Sequence, residues 1–392
     1  ASRPPLQALP ELPTATPYPL HRGLEETAAQ RYLSRLAEVK RITLTPERAE
    51  EIVQAAERHP RLLELLVVRA GERDLGELLK EVRQRKGDFQ AQLERVYDWC
   101  AKRAGEEGRR AWSLLPLFPA GRALERPLRA LAGDAGLEAL RRAALAEFDP
   151  QQQAWAWHAT VSEYARAHWP LQEEKQLALL AQALPAWAGW LEGLAEDEAI
   201  ARLEAHGPNL ERLLQAAPRL GREAAWDFLE RLGKRLPAPD RTLALRAMQE
   251  PLYRAMLALA ADEAEKARAQ GMLGNALSAL GRHEEALAAA QEAVEIHRKL
   301  AQANPQAFLP NLAGSLNNLG DRLKESGQPE QALAAYEEAV RILAPFYLQL
   351  PSAFENRMRY MVRDYIEAYR AAGLPASPRL PTKAVEDVLR SR

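Results

Sequence analysis

The chain has 392 residues, 47% of them hydrophobic and 27% charged, with a formal net charge of −1. That suffices for roughly two to four domains with packed cores, and so near-neutral a balance provides no global field for nucleic acid or an anionic membrane. The single cysteine, Cys100, excludes an intramolecular disulfide and an all-cysteine zinc site, and no run approaches the roughly 18 apolar residues of a membrane-spanning helix.

Residues 1–20 hold Pro4, Pro5, Pro10, Pro13, Pro17 and Pro19, a density that precludes helix and predicts an extended segment. The segment lacks a starting Met and the regions of a signal peptide, so the chain reads as a fragment or a processed product, with a cytoplasmic origin as the default. A helical domain is predicted over 21–103. In it Leu24, Ala28, Tyr32, Leu33 and Leu36 share one helix face. Thr45-Pro46 reads as an N-cap with proline at the first helical position, and His59-Pro60 ends that helix.

Over 104–170 the pattern changes. A turn at Phe118-Pro119-Ala120-Gly121 precedes short helices near 123–132 and 136–146. A strand is predicted at Ala154-Trp155-Ala156-Trp157-His158, then a helix carrying Val161, Tyr164 and His168. Helices with a small ribbon before the last one imply a winged-helix arrangement. Residues 171–262 read as a helical linker or degenerate repeats with Trp187, Trp190 and Trp226 as core. The expected fold class is therefore mainly α: a helical domain plus a winged-helix domain, then a helical linker and an α-solenoid over 263–375, with a tail at 376–392.

The solenoid is read from a 46-residue period. Gly281, Gly327 and Gly373 recur at that spacing, as do Leu273-Gly274 with Leu319-Gly320, and Glu292-Ala293-Val294 with Glu338-Ala339-Val340. Such a period marks stacked helical hairpins, none able to bury its apolar face alone. These positions resemble the tetratricopeptide (TPR) consensus, whose usual period is about 34 residues. The extra residues, such as Arg298 to Phe308, are expected to lengthen the second helix and the connection. Gly274 and Ala286 are expected to let paired helices approach closely. The resemblance implies a protein or peptide partner held in a groove of first helices. Counting along those helices offers Gly271, Asn275 and Ser278, then Asn317, Asp321 and Lys324, then Arg363, Glu367 and Arg370. The asparagines suit a peptide backbone, and Lys324, Arg363 and Arg370 suit a carboxylate. Glu367 stands close enough along the helix to pair with either arginine. The plainer reading is a row of solvated helix positions.

A second resemblance covers 1–170: the order of segments is similar to the latter part of a bacterial STAND-class (NB-ARC-like) signal-transduction NTPase. Ala1-Ser2-Arg3 resembles the segment whose Arg meets the terminal phosphate. Arg58-His59-Pro60-Arg61-Leu62 resembles a Gly-x-Pro-Leu segment whose Pro packs on adenine. Trp157-His158-Ala159 resembles the Met-His-Asp segment whose His touches the ADP β-phosphate. The resemblance thus implies nucleotide contact by Arg3, Pro60 and His158. Arg58 in place of Gly and Ala159 in place of Asp depart from that pattern. Each residue also has a plainer reading, as tail, helix-breaker and half-buried core histidine.

No G-x-x-x-x-G-K-[ST] occurs, so the chain alone is expected to be no enzyme and to hold no cofactor or metal. ATP or ADP with Mg²⁺, and nucleotide-dependent oligomerisation, are implied only for a longer parent. Two other readings stay open: a non-enzymatic TPR scaffold or adaptor, and a fragment of a transcriptional regulator. For the latter, the predicted helix around Arg141 and Arg142 is mostly apolar and the ribbon carries Trp155 and Trp157 rather than basic residues, which does not point to direct nucleic-acid binding.

Overall fold

The computed structural model describes residues 23–237, 242–373 and Val385. The extended segment 1–20, with Arg3, lies outside the described residues, as does nearly all of the tail. The chain divides into two compact units. One comprises residues up to 116 with 132–170, the other residues 117–131 with 171 onward.

In the first unit, α1 (Glu26–Lys40) buries Ala29, Leu33 and Ala37, the stripe predicted from sequence turned by one residue. Helix α2 (Pro46–Ala55) starts as predicted, with Thr45 Oγ1 accepting from the Arg48 amide at 3.3 Å. Helix α3 (Pro60–Val67) begins on the proline itself, whose missing N–H costs nothing at a first turn. Helix α4 (Leu75–Arg83) and the long α5 (Phe89–Leu114) follow, α5 being interrupted at Gly105 with φ 67°.

A three-residue strand, β1 (Arg122–Leu124), comes next in the chain, and then α6 (Glu125–Arg142). Gly133, at φ 69°, breaks α6 into the two short helices expected from sequence. Strands β2 (Glu147–Asp149) and β3 (Ala154–Ala156) form an antiparallel hairpin in which Phe148 faces Trp155. Helix α7 (Ala159–His168) packs on α5, where Trp112 Nε1 donates to Val161 O at 2.8 Å and stacks on Tyr164.

The second unit starts with α8 (Glu173–Glu192), α9 (Glu196–Ala205), α10 (Gly207–Leu220), α11 (Arg222–Arg235) and α12 (Leu243–Ala258). Buried Asn209 fixes residues 117–131 to this unit: its Oδ1 accepts from the Ala120 amide at 3.0 Å and its Nδ2 donates to Arg122 O at 2.8 Å. Trp187 is core as expected, whereas Trp226 is half-buried beneath the Arg222 guanidinium, 3.9 Å from the ring centroid.

Five helices then form the array: α13 (Glu263–Ala279), α14 (His283–Ala303), α15 (Pro305–Glu325), α16 (Pro329–Gln349) and α17 (Pro351–Ala371). They pack in chain order as α13 with α14, α15 with α16, and α17 after them. The turn glycines Gly281, Gly327 and Gly373 have φ of 77°, 74° and 68°, the left-handed region where a side chain is strained. The sequence misjudged one feature: the connection is not lengthened. Asn304 alone joins α14 to α15, and the extra residues extend the helices on both sides of it. Close approach of paired helices at Gly274 holds: an added β-carbon there would stand 3.1 Å from Ala286 O. Val385, fully buried in the array's core, sits 46 residues after buried Ala339 and 92 after buried Ala293.

Candidate functional site: a groove across the first helices

The groove occupies the N-terminal and middle turns of α13 and α15, the first helices of two hairpins, and of α17, which follows them. It encloses about 660 Å³ and is lined by Arg268, Gly271 and Met272 from α13, Asn311, Gly314, Asn317 and Asn318 from α15, and Arg357 and Tyr360 from α17, with Glu230 of α11 at one end. The lining follows the repeat. Glu265, Asn311 and Arg357 are spaced by 46 residues, as are Arg268, Gly314 and Tyr360.

The polar groups differ in their commitments. Glu265 is held by Arg222 in a two-pronged contact at 2.7 and 2.8 Å, and Arg268 leans on Glu230 at 3.3 Å. Arg357 donates only to the Pro310 carbonyl, at 3.4 Å, with no carboxylate in ion-pair range among the described residues. Beneath the floor, buried His297 and Ser315 share a hydrogen bond of 2.8 Å, and burial pulls the imidazole below its ordinary pKa. Asn317 is 1% exposed. Its Nδ2 donates to Asp364 at 3.2 Å, and its Oδ1 has no partner among the described residues. A buried acceptor left so costs about 1–3 kcal/mol.

Most of the stripe expected to bind a partner is instead engaged between helices. Asn275 accepts from Arg322 at 3.4 Å, and Ser278 donates to Glu325 at 2.6 Å. Asp321 accepts from Tyr336 at 2.7 Å and Tyr360 at 3.4 Å, and its burial raises its pKa. Burial and the nearby Asp321 and Asp364 charges push the Tyr360 phenol up to about 12. Lys324 pairs with Glu367 at 2.7 Å, and the Arg363 guanidinium donates to Asp364 at 3.1 Å. Arg370 is exposed near the end of α17. Of the named stripe, Gly271 and Asn317 line the groove. The groove residues Arg268, Met272, Asn311, Gly314, Asn318, Arg357 and Tyr360 were missed. Their signal was present in the 46-residue spacing, but α15 and α17 begin earlier than the sequence suggested, at Pro305 and Pro351, and the groove uses that extension.

In the first unit, the segments around Pro60 and His158 are joined by hydrogen bonds. Arg61 Nη2 donates to Tyr97 OH at 3.3 Å, Tyr97 OH meets Thr160 Oγ1 at 2.6 Å, and Thr160 Oγ1 meets His158 Nδ1 at 2.7 Å. Arg61 can only donate, so one assignment satisfies each group: every proton points toward His158. Burial raises the Tyr97 pKa, keeping it a donor. His158 also caps α7, its Nδ1 accepting from the Thr160 amide at 3.1 Å, which puts the proton of the neutral ring on Nε2. Arg61 also pairs with Glu64, Nη1 to Oε2 at 3.0 Å, so its charge is already matched. Arg58, where the resembled segment has glycine, has φ 62°, glycine-favouring backbone. Arg141 and Arg142 engage Glu138, and the Trp155 ring lies 5.5 Å from Phe148. Among the described residues no cluster of three or more His, Cys, Asp or Glu has metal-binding geometry, and no helix is long and apolar enough to cross a membrane.

Residues 267–306 and 312–343 match the family model described as tetratricopeptide repeat. No curated protein matches the chain. Among solved structures, the chain is similar to a Signal Transduction ATPase with Numerous Domains (STAND) protein with a tetratricopeptide repeat sensor from Pyrococcus horikoshii, at 16% identity and a TM-score of 0.36. The match covers 90% of this chain and 58% of that one, so the chain corresponds to less than two thirds of that protein's length.

Proposed function

We propose that this chain, which carries tetratricopeptide repeats in its last third, is the sensing and regulatory portion of a STAND-type signalling ATPase. The repeats bind a protein or peptide through the groove of α13, α15 and α17. The first unit, in a winged-helix-like arrangement, contributes Pro60 and His158 to a nucleotide pocket whose phosphate loop belongs to a longer parent, along with Arg3 of the segment outside the described residues. The observation that carries the sensing half is the groove: repeat-equivalent residues converge on one buried acceptor, Asn317 Oδ1, that nothing in the described chain satisfies. The regulatory half rests on the hydrogen-bonded chain from Arg61 to His158, which ties both nucleotide-contact segments together.

Within this reading the chain alone hydrolyses nothing. ADP would meet the segments that carry Pro60 and His158. Such a switch needs an element with two resting positions, one favoured by the bound nucleotide. Direct DNA contact is no part of it, because Arg141 and Arg142 already lean on Glu138. The test is titration of a fluorescent ADP analogue into the product of the complete coding sequence. Binding that His158→Ala weakens by about tenfold supports the reading. A complete coding sequence without a phosphate loop defeats it and leaves a TPR adaptor.

A further inference from the structure

Two glycines lie on the groove floor inside helices, where glycine is less favourable than alanine. A β-carbon at Gly271 or at Gly314 would meet nothing within 4 Å, so internal packing does not require either glycine. Gly320, further along α15, is different, for there the helix partner fills the space. The unused room at Gly271 and Gly314 faces the groove. It adjoins Asn317, 1% exposed, with an acceptor that no described residue satisfies. A ligand that brings an N–H to Asn317 and lies close on bare helix backbone accounts for both.

We infer that the groove takes an extended peptide, main chain against Gly271 and Gly314, with a small residue over that floor and an acidic residue at the α17 end. An extended main chain offers an N–H every second residue on one side, which suits a lone acceptor. Asn318 and Asn311 stand beside Asn317 on α15 as further amide partners. Met272 and Tyr360, 41% and 42% exposed, flank the floor and receive an apolar side chain of the peptide. The charges set its direction. Glu230 and Glu265 occupy the α11–α13 end, already matched by Arg268 and Arg222. Arg357, at the other end, has no carboxylate partner among the described residues, so an acidic peptide residue completes it.

This deepens the reading of the repeats as a sensor and rests on it. The test selects random short peptides displayed on phage against the full chain, then measures the enriched sequences by fluorescence anisotropy. The expected winners carry a small residue and an acidic residue at fixed separation. Gly314→Ala should raise the thermal midpoint yet weaken binding several-fold, and Gly314→Leu should weaken it at least about tenfold. Arg357→Glu should do likewise and be rescued by peptides with lysine in place of the acidic residue. Enriched peptides that bind the Gly314→Leu and Arg357→Glu variants within about twofold of the unaltered chain would overturn the groove assignment while leaving the repeats a peptide binder. Failure to enrich any peptide would count against the sensor reading itself.

Discussion

Gly320 lies against the ring of Tyr336: a β-carbon on Gly320 would stand 2.5 Å from Cε1 of that ring. Tyr336 is 1% exposed and anchored by its hydroxyl to Asp321 at 2.7 Å, so it has little room to yield. The pair sets how closely α15 and α16 approach. Gly320→Ala should therefore destabilise the array by about 1–3 kcal/mol through overpacking. Gly314→Ala, six residues earlier on the same helix, should stabilise it by up to about 1 kcal/mol. Thermal unfolding of the two variants checks the contrast, and equal effects would contradict it.

Buried His206 packs edge-on between Trp187 and Trp190, and burial, with Arg122 and Arg202 adding, lowers its pKa to about 4. The folded value lies below the unfolded one, so the unfolded chain takes up the proton first as pH falls. The stabilisation is fully present above about pH 6.5 and is lost on descending from there to about pH 4, amounting to about 3 kcal/mol. Burial lowers His297 in the same direction. Urea unfolding between pH 7 and 4 should show the second unit weakening over that window, and His206→Gln should flatten the dependence.

Tyr97→Phe removes the link between Arg61 and Thr160 while keeping the ring on Trp112, 5.6 Å away. A loss of about 1–2 kcal/mol is expected, because two partners lose a buried bond. Faster hydrogen exchange in α5 and α7 would register it, and unchanged exchange there would show that the linkage is incidental.

Arg58 and Glu57 both have positive φ, 62° and 45°. Glu57 Oε1 accepts from the Gly87 amide at 2.7 Å and from Gln92 at 2.8 Å, which holds the turn in place. Arg58→Gly should then relieve strain and raise stability by about 0.5–1 kcal/mol. A fall in the thermal midpoint would mean that the arginine side chain contributes more than its backbone costs.

The array was legible because its determinants are local and repeated. Turn glycines with positive φ and close contacts at Gly274 and Gly320 recur at the 46-residue period, and their spacing in the sequence marks them. Thr45 and Pro46, and the break at Gly133, were legible for the same reason. The groove was not, since it depends on where the first helices begin. Asn304 caps α15 with a one-residue connection, and residues read as linker became a further turn of helix. The stripe counted from Gly271 then followed the faces that pair helix to helix, as Lys324 with Glu367 shows. Trp226 was misread as core because sequence does not reveal that Arg222 covers its ring. Nor did any signal in the chain join Arg61 to Thr160, which are bridged by Tyr97 across α3, α5 and α7 and so depend on tertiary packing.

Hydrogen–deuterium exchange of the whole chain, with and without a saturating selected peptide, tests the groove most directly. The account predicts slowed exchange confined to residues 268–272, 311–318 and 357–361, on α13, α15 and α17 at one repeat-equivalent level. Protection mapping to α14 and α16, or none at saturation, would contradict it.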